Sequence, residues 1–359
     1  MSYTLIAGGY RSAIARLSFD GDRLTLVSDS KTPQDPSWVE GFSPISAFAT
    51  SEAEGLVMSL DVGDGVTVTS QVETHGNPAQ VIVLADKSAV AVANYVGGSI
   101  TLHPINVDGT LGPSKATPLP FPYAEKAPNP DRQDASHGHG IVEVAGVLYV
   151  ADLGSDRVYA VRRSGSGGGG GLEVGEYVQC KPGFGPRHCA ISRDESVMYV
   201  LGEMGHSVAA FNIPKEGTNE NTPIWDSGYL PPSVPKEYTT FMDGAEIQLH
   251  PQHDVLYVSN RLELHAAEKN NLPPRAAESG DAVAIMRLSE DGRSVLGTEW
   301  VQTGCCCVRG MQVSRDGKYV AVAGQCNSTV EMYALSDDGI KWTKVASLQL
   351  DAITDFVWM

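Results

Sequence analysis

The strongest constraint on this chain is that it repeats itself. The stretch HCAISRDESVMYVLGEMGHSVAAFNIP, from His188, has a relative in GMQVSRDGKYVAVAGQCNSTVEMYALS, from Gly310. AEIQLHPQHDVLYVSNR from Ala245, QVIVLADKSAVAVANYVGGSITLHPINVDG from Gln80 and ASHGHGIVEVAGVLYVADLGSDRVYAVRRSG from Ala135 are further copies. YTLIAGGYRSAIARLSFDGDRLTLV from Tyr3 and ISAFATSEAEGLVMSLDVGDGVTVTSQV from Ile45 complete the set. Each copy alternates short β-rich apolar runs with turn signals. Asp-Gly, which supplies the positive φ that tight hairpins need, recurs at Asp20-Gly21, Asp108-Gly109, Asp291-Gly292 and Asp338-Gly339. A period of roughly 50 residues is that of a four-stranded propeller blade. The fold class expected is therefore all-β: a seven-bladed β-propeller of four-stranded antiparallel blades around a central channel, in a single domain over residues 1–359. The Gly-rich loop 164–171 falls at an outer hairpin turn rather than between domains. The insertion 262–280, with Pro273-Pro274, reads as part of a lid.

Aligning the copies on their Tyr-Val step yields two columns of residues. One lies at the start of the first strand of each unit: Ala79, His139, Arg187, Ala245 and Arg309. The other lies at the end of the second strand: Tyr95, Leu153, Glu203, Arg261 and Gln325. A hairpin's first strand begins on the side where its second strand ends, so both columns belong to one face of the disc. In a propeller the first strands line the channel. His139, Arg187, Arg309, Glu203, Arg261 and Gln325 are thus expected to converge on one mouth as a cationic pocket holding a carboxylate and an imidazole.

Composition narrows the partners. A formal net charge of -17 argues against nucleic acid and against an anionic membrane surface. No apolar run approaches the ~20 residues of a spanning helix, and the first residues lack the pattern of a secretory signal. Of the six cysteines, Cys305, Cys306 and Cys307 are adjacent, a poor layout for a disulfide framework; reduced thiols and a cytoplasmic setting are the expectation. Strand alternation is expected to send the three neighbouring thiols to opposite faces, leaving buried structural cysteines rather than a compact metal site. No cofactor and no metal are expected. Trp225-Asp226 occurs once, out of register, which weakens the rival reading as a non-enzymatic interaction propeller. A calcium-dependent propeller needs a carboxylate–Asn cluster instead of arginines.

GFGPRHCAISRDESVMYVLGEMGHSV, NYVGGSITLHPINVDGTLG, AEIQLHPQHDVLYVSNR and the HGHG stretch resemble the seven-bladed propeller lactonase family, which includes 6-phosphogluconolactonases and the 3-carboxy-cis,cis-muconate lactonizing enzymes (muconate cyclases). The resemblance implies an enzyme acting on a small anionic substrate, a lactone or its open carboxylate. It is strongest from Ala79 to Leu335 and weak from Ile45 to Val72. It places the site on His139, Arg187, Glu203 and Arg261. His188 stands where the cyclases tend to carry an aromatic, and NYVGGS is more like the phosphogluconolactonases.

The chemistry fits these residue types. Guanidinium groups hold carboxylates and stabilise charge on a carbonyl or ring oxygen. Glu203 and His139 are candidates to share the acid–base work, one carrying the proton and the other orienting it. The same groups serve lactone hydrolysis or cyclisation by the substrate's own carboxylate, and both remain open at this stage. His137, His188, Arg309, Gln325 and Tyr95 are expected to bind substrate. His137 and His139, two apart in a strand, also form a possible metal pair, without an acidic or thiol partner in the alignment. His250, His253 and His265 read as solvated turn or insertion residues.

Overall fold

Seven four-stranded antiparallel sheets form the molecule, a computed structural model that describes residues 2–164, 171–262, 268–272 and 280–359. Blade 1 consists of Tyr3–Gly9, Ala13–Phe19 and Leu24–Lys31, with Ile353–Trp358 added as its innermost strand. Blades 2 to 7 then follow in chain order, with inner strands Val39–Ser43, Pro78–Val83, Gly138–Val144, Pro186–Ile191, Met242–Leu249 and Val308–Val313. Pairing of Leu5 with Trp358 and Ala7 with Phe356 ties the two ends of the chain into one sheet and closes the ring. The four Asp-Gly turns carry the expected positive φ at Gly21, Gly109, Gly292 and Gly339. Most of the Gly-rich loop and of the insertion, including Pro273-Pro274 and His265, lies outside the described residues. The helix Lys236–Thr239 is a single turn, and no helix among the described residues is long and apolar enough to cross a membrane.

The position of each strand in its blade follows from its residues. Second strands such as Ala89–Asn94 and Val197–Gly202 are buried at every position, because both faces meet a neighbouring blade. Outer strands such as Thr67–Glu73 alternate exposed and half-buried residues. The hydrophobic core is accordingly a set of wedges, one in each seam between blades. Phe19, Met332 and Phe356 fill the seam of blades 1 and 7, and Tyr199, Tyr229 and Met286 that of blades 5 and 6. Hydroxyl groups stitch the same seams: Tyr257 donates to the Gly339 carbonyl at 2.5 Å and Tyr199 to that of Gly292 at 3.2 Å. His250 belongs with them. It is buried, not solvated as the sequence suggested, and its Nε2 lies 3.0 Å from the Gly317 carbonyl across the seam of blades 6 and 7.

Buried histidines make the fold sensitive to acid. His103 is fully buried, with Nδ1 3.1 Å from the Gly112 carbonyl and Nε2 3.1 Å from Thr101 Oγ1. Burial pushes its imidazole down to about 4, the Gly112 carbonyl opposing only in part. The unfolded chain takes up a proton near pH 6.5 while the folded chain resists until about 4. Stability from this group is complete above the unfolded value and is lost as pH falls through that window, on the order of 3 kcal/mol. Denaturant titrations at pH 7 and pH 4.5 are expected to differ less in His103→Gln than in the parent; an unchanged difference contradicts this assignment.

Candidate functional site

The two columns read from the sequence correspond to two backbone devices. The first is a β-bulge at the entry of the inner strand. Register shifts between Pro78 and Gln80, Gly138 and Gly140, Pro186 and Cys189, Gly244 and Ile247, and Val308 and Gly310. The residues left out of the pairing are Ala79, His139, Arg187 with His188, Ala245 with Glu246, and Arg309. A bulge re-aims the side chain it frees, which is how an inner strand presents a charged group at the channel mouth instead of burying it between blades. The glycines beside His139 are explained here too. A Cβ on Gly140 would run into the Arg187 carbonyl and the His188 ring of the next inner strand.

The second device is the turn after the second strand. Tyr95, Leu153, Glu203 and Gln325 each stand one residue past a second strand, and Arg261 stands next to last in its own. The same position in blades 1 and 2 is held by Tyr10 and Glu52. In blade 4 the position is an apolar Leu153, and a long connection lies over it, with Gln133 Nε2 donating to the Leu153 carbonyl at 3.0 Å. That connection delivers Arg132.

These residues enclose a cavity of about 120 Å³ lined by Glu52, Ala79, Tyr95, Arg132, His139, Glu203, Arg261 and Arg309. A larger hollow of about 240 Å³ beside Pro231, Tyr238 and Met242 has no charged lining group, and those of about 340 and 290 Å³ elsewhere do not gather arginines. At the centre is Glu203. Its Oε2 is 3.0 Å from Arg187 Nε and its Oε1 2.9 Å from an Arg261 terminal nitrogen, and Arg132 also pairs with Oε1. Asp243 stands 3.7 Å from both Arg132 and Arg261. Burial alone would raise the Glu203 carboxyl, but Arg261, Arg132 and Arg187 outweigh it and bring it down to about 2. Burial lowers Arg187 to about 10, against the pull of Glu203, so it stays charged at neutral pH. Arg309 lies 4.8 Å over the Tyr10 ring, and the Tyr10 hydroxyl donates to Glu52 at 2.9 Å.

His139 has the opposite electrostatics. Burial, reinforced by Arg187 and other nearby cationic groups, holds its imidazole well below the usual range, so it is neutral at pH 7. Its Nδ1 is buried with no hydrogen-bond partner. The ring makes edge contacts with Tyr95 at 5.7 Å and His188 at 5.0 Å.

Of the residues predicted from the sequence, Tyr95, His139, Glu203, Arg261 and Arg309 stand on the cavity wall. Arg187 is behind it, bound to Glu203 and donating to the Ala245 carbonyl. His188 is deeper, with Nδ1 2.9 Å from Glu246, so it supports the wall rather than meeting a ligand. His137 is likewise a support: it stacks on Tyr95 at 4.6 Å, and its ring nitrogens face the Tyr95 carbonyl and Asp134. With both nitrogens so engaged, it makes no metal pair with His139. Gln325 is off the wall; its backbone N–H bonds the Cys307 carbonyl. The sequence reading missed Tyr10, Glu52, Arg132 and Asp243.

The cysteine run departs from expectation. Cys305–Cys307 form a bend ahead of the inner strand, with Cys307 at φ 58, so alternation does not apply to them. Cys305 is buried as expected, with Sγ 3.4 Å from the Thr329 carbonyl. Cys306 and Cys307 instead come together beside Asp281.

Residues 4–358 match the family model described as "Lactonase, 7-bladed beta-propeller". A curated relative from Arthroderma benhamiae, "Probable 6-phosphogluconolactonase", is 24% identical over 361 residues, spanning 96% of this chain and 85% of its own. The 6-phosphogluconolactonase of Bacillus subtilis is 27% identical over 255 residues, 66% of this chain and 69% of that protein. The solved structure of the periplasmic gluconolactonase of Pseudomonas aeruginosa shares the fold with a TM-score of 0.83 at 20% identity, covering 100% of this chain and 99% of that one. With its ring of seven blades and a family match over nearly its whole length, the chain belongs to the lactonase family of seven-bladed β-propellers.

Proposed function

We propose that the protein hydrolyses a small anionic lactone, in the manner suggested by the 6-phosphogluconolactonase names of its relatives. The observation that carries this reading is the pairing, in one small polar cavity, of surplus guanidinium charge with a neutral imidazole. On the cavity wall Arg132, Arg261 and Arg309 outnumber Glu52 and Glu203 by one, which favours a substrate's acidic group there. At about 120 Å³ the cavity suits a small polar ring rather than a drug-sized apolar ligand, which needs roughly 300 Å³ or more.

In this mechanism Arg132 and Arg309, at the cavity wall, hold the anionic substituent, and Arg261 lies close enough to stabilise charge on the lactone carbonyl oxygen. His139 takes a proton from water as the water oxygen bonds to the acyl carbon. The tetrahedral intermediate collapses with cleavage of the ring C–O bond, and the imidazolium returns the proton to the departing ring oxygen. Glu203 takes no part in proton transfer. With a carboxyl near 2 it is too weak a base, and its role is to fix the three arginines. Hydrolysis is preferred to carboxymuconate cyclisation because relatives spanning most of the chain bear lactonase names.

The test is a panel of five- and six-membered sugar lactones with and without a phosphate or carboxylate substituent, followed by ring opening. Turnover with a preference for the anionic members is expected. In Arg132→Ala, loss of a charge-assisted contact should raise KM by about 10- to 100-fold with kcat changed only a few-fold. Absence of turnover across the panel removes the proposal.

A further inference from the structure

A second cluster of reactive groups lies outside the cavity, on the seam of blades 6 and 7. Asp281 stands just before the third strand of blade 6, Cys306 and Cys307 form the bend before the inner strand of blade 7, and Cys326 sits in that blade's next turn. A carboxylate oxygen of Asp281 and the Sγ atoms of Cys306 and Cys307 all lie within 4.8 Å of one another. Cys326 lies on the adjoining turn, its backbone N–H bonded to the Cys306 carbonyl. Two thiols and one carboxylate therefore meet, with a third thiol on the adjoining turn, from three separate segments of chain.

The backbone holds them there. Asp281 Oδ2 accepts the Cys307 N–H at 2.5 Å, and the Asp281 N–H bonds the Cys305 carbonyl at 2.7 Å. The Cys326 N–H bonds the Cys306 carbonyl at 3.1 Å, and Asn327 Oδ1 accepts the Cys306 N–H at 3.0 Å. The left-handed conformation of Cys307, unusual for a residue with a Cβ, brings consecutive thiols to the same side, which an extended strand forbids.

From this arrangement we infer that Asp281, Cys306, Cys307 and Cys326 form a structural site for a thiophilic divalent cation of the zinc class. Three sulfurs and one oxygen make a tetrahedral set with no open position, the pattern of a structural rather than a catalytic ion. A Zn–S bond of about 2.3 Å sets neighbouring ligand atoms about 3.8 Å apart, so Asp281, Cys306 and Cys307 close on an ion with shifts of about 1 Å or less, and Cys326 turns in from the next turn to complete the set. Binding releases the thiol protons, including that of the Cys307 S–H now directed at the Leu262 carbonyl at 3.3 Å. Leu262 follows Arg261, and Arg309 is two residues beyond Cys307, so the ion clips together the two strand ends that carry these arginines. The inference goes beyond the lactonase reading and does not depend on it.

The experiment is cobalt(II) titration of reduced, metal-stripped protein. One equivalent should produce tetrahedral d–d bands and thiolate-to-cobalt charge transfer, both removed by zinc. Cys306→Ser with Cys326→Ser should lose the charge-transfer band; these side chains are half-buried and exposed, so folding should survive. Cys189→Ser, remote from the cluster, should keep the full spectrum. If the double variant fails to fold, alkylation of the parent decides: zinc should protect three thiols. No cobalt charge transfer in the parent, a spectrum that persists in the double variant, or no thiol protection by zinc overturns the inference.

Discussion

Glu203→Gln is expected to destabilise the fold by about 3–5 kcal/mol and to lower kcat/KM by at least ~100-fold, although the side chain hardly changes shape. The carboxylate is the shared counter-ion of Arg187, Arg261 and Arg132 in a buried site. Neutralising it leaves three guanidinium groups facing one another, with Asp243, 3.7 Å from two of them, and Glu246 near Arg187 in partial compensation. The depressed carboxyl points the same way: the three arginines favour the charged form in the folded site, which adds stability at neutral pH. That stability is complete above the unfolded value of 4.5 and is lost progressively as pH falls from there through about 2, so acid no stronger than about pH 5 should not imitate the substitution. Denaturant titration of parent and variant at pH 7 checks the size. A variant as stable as the parent would mean that the arginines are not held by Glu203.

Much of this site was legible in the sequence because propeller blades are copies. Once the Tyr-Val steps were aligned, the bulge column gave His139, Arg187 and Arg309, and the strand-end column gave Tyr95, Glu203 and Arg261. The same rule reaches Tyr10 and Glu52. They were missed because blade 1 is divided between the two ends of the chain and blade 2 resembles the other copies weakly. Arg132 was beyond any repeat argument. It arrives on the long connection that precedes the inner strand of blade 4, over the one strand-end position that is apolar. The columns also overcalled. They fix which end of the channel a residue occupies but not whether its side chain reaches the cavity, and Gln325 and Arg187 show the difference. The thiol cluster was lost to an assumption of regular alternation, which a single left-handed residue at Cys307 cancels. Periodicity predicts facing only where the backbone is periodic.

His139→Ala is the substitution that separates proton transfer from binding. Removing a general base costs about 10²–10⁴-fold in kcat, whereas the arginines that hold substrate remain, so KM should change little. Stability should be nearly unaffected, since the buried Nδ1 has no hydrogen bond to lose. The pH profile supplies the signature that a merely structural histidine would not give. Burial and the surrounding cationic groups keep the imidazole neutral well below its usual value of 6.5, so kcat/KM of the parent should stay level down through pH 6.5 and fall only in more acidic solution. In the variant the residual rate should lose that acid limb and rise with hydroxide instead. Glu203 offers no rival account of such a limb, because its carboxyl titrates near 2 and is already bound to three arginines. A parent enzyme whose rate is halved at pH 6.5 or above, or a variant that keeps its kcat, would take the proton from some group other than His139 and return the imidazole to a packing role against Tyr95 and His188.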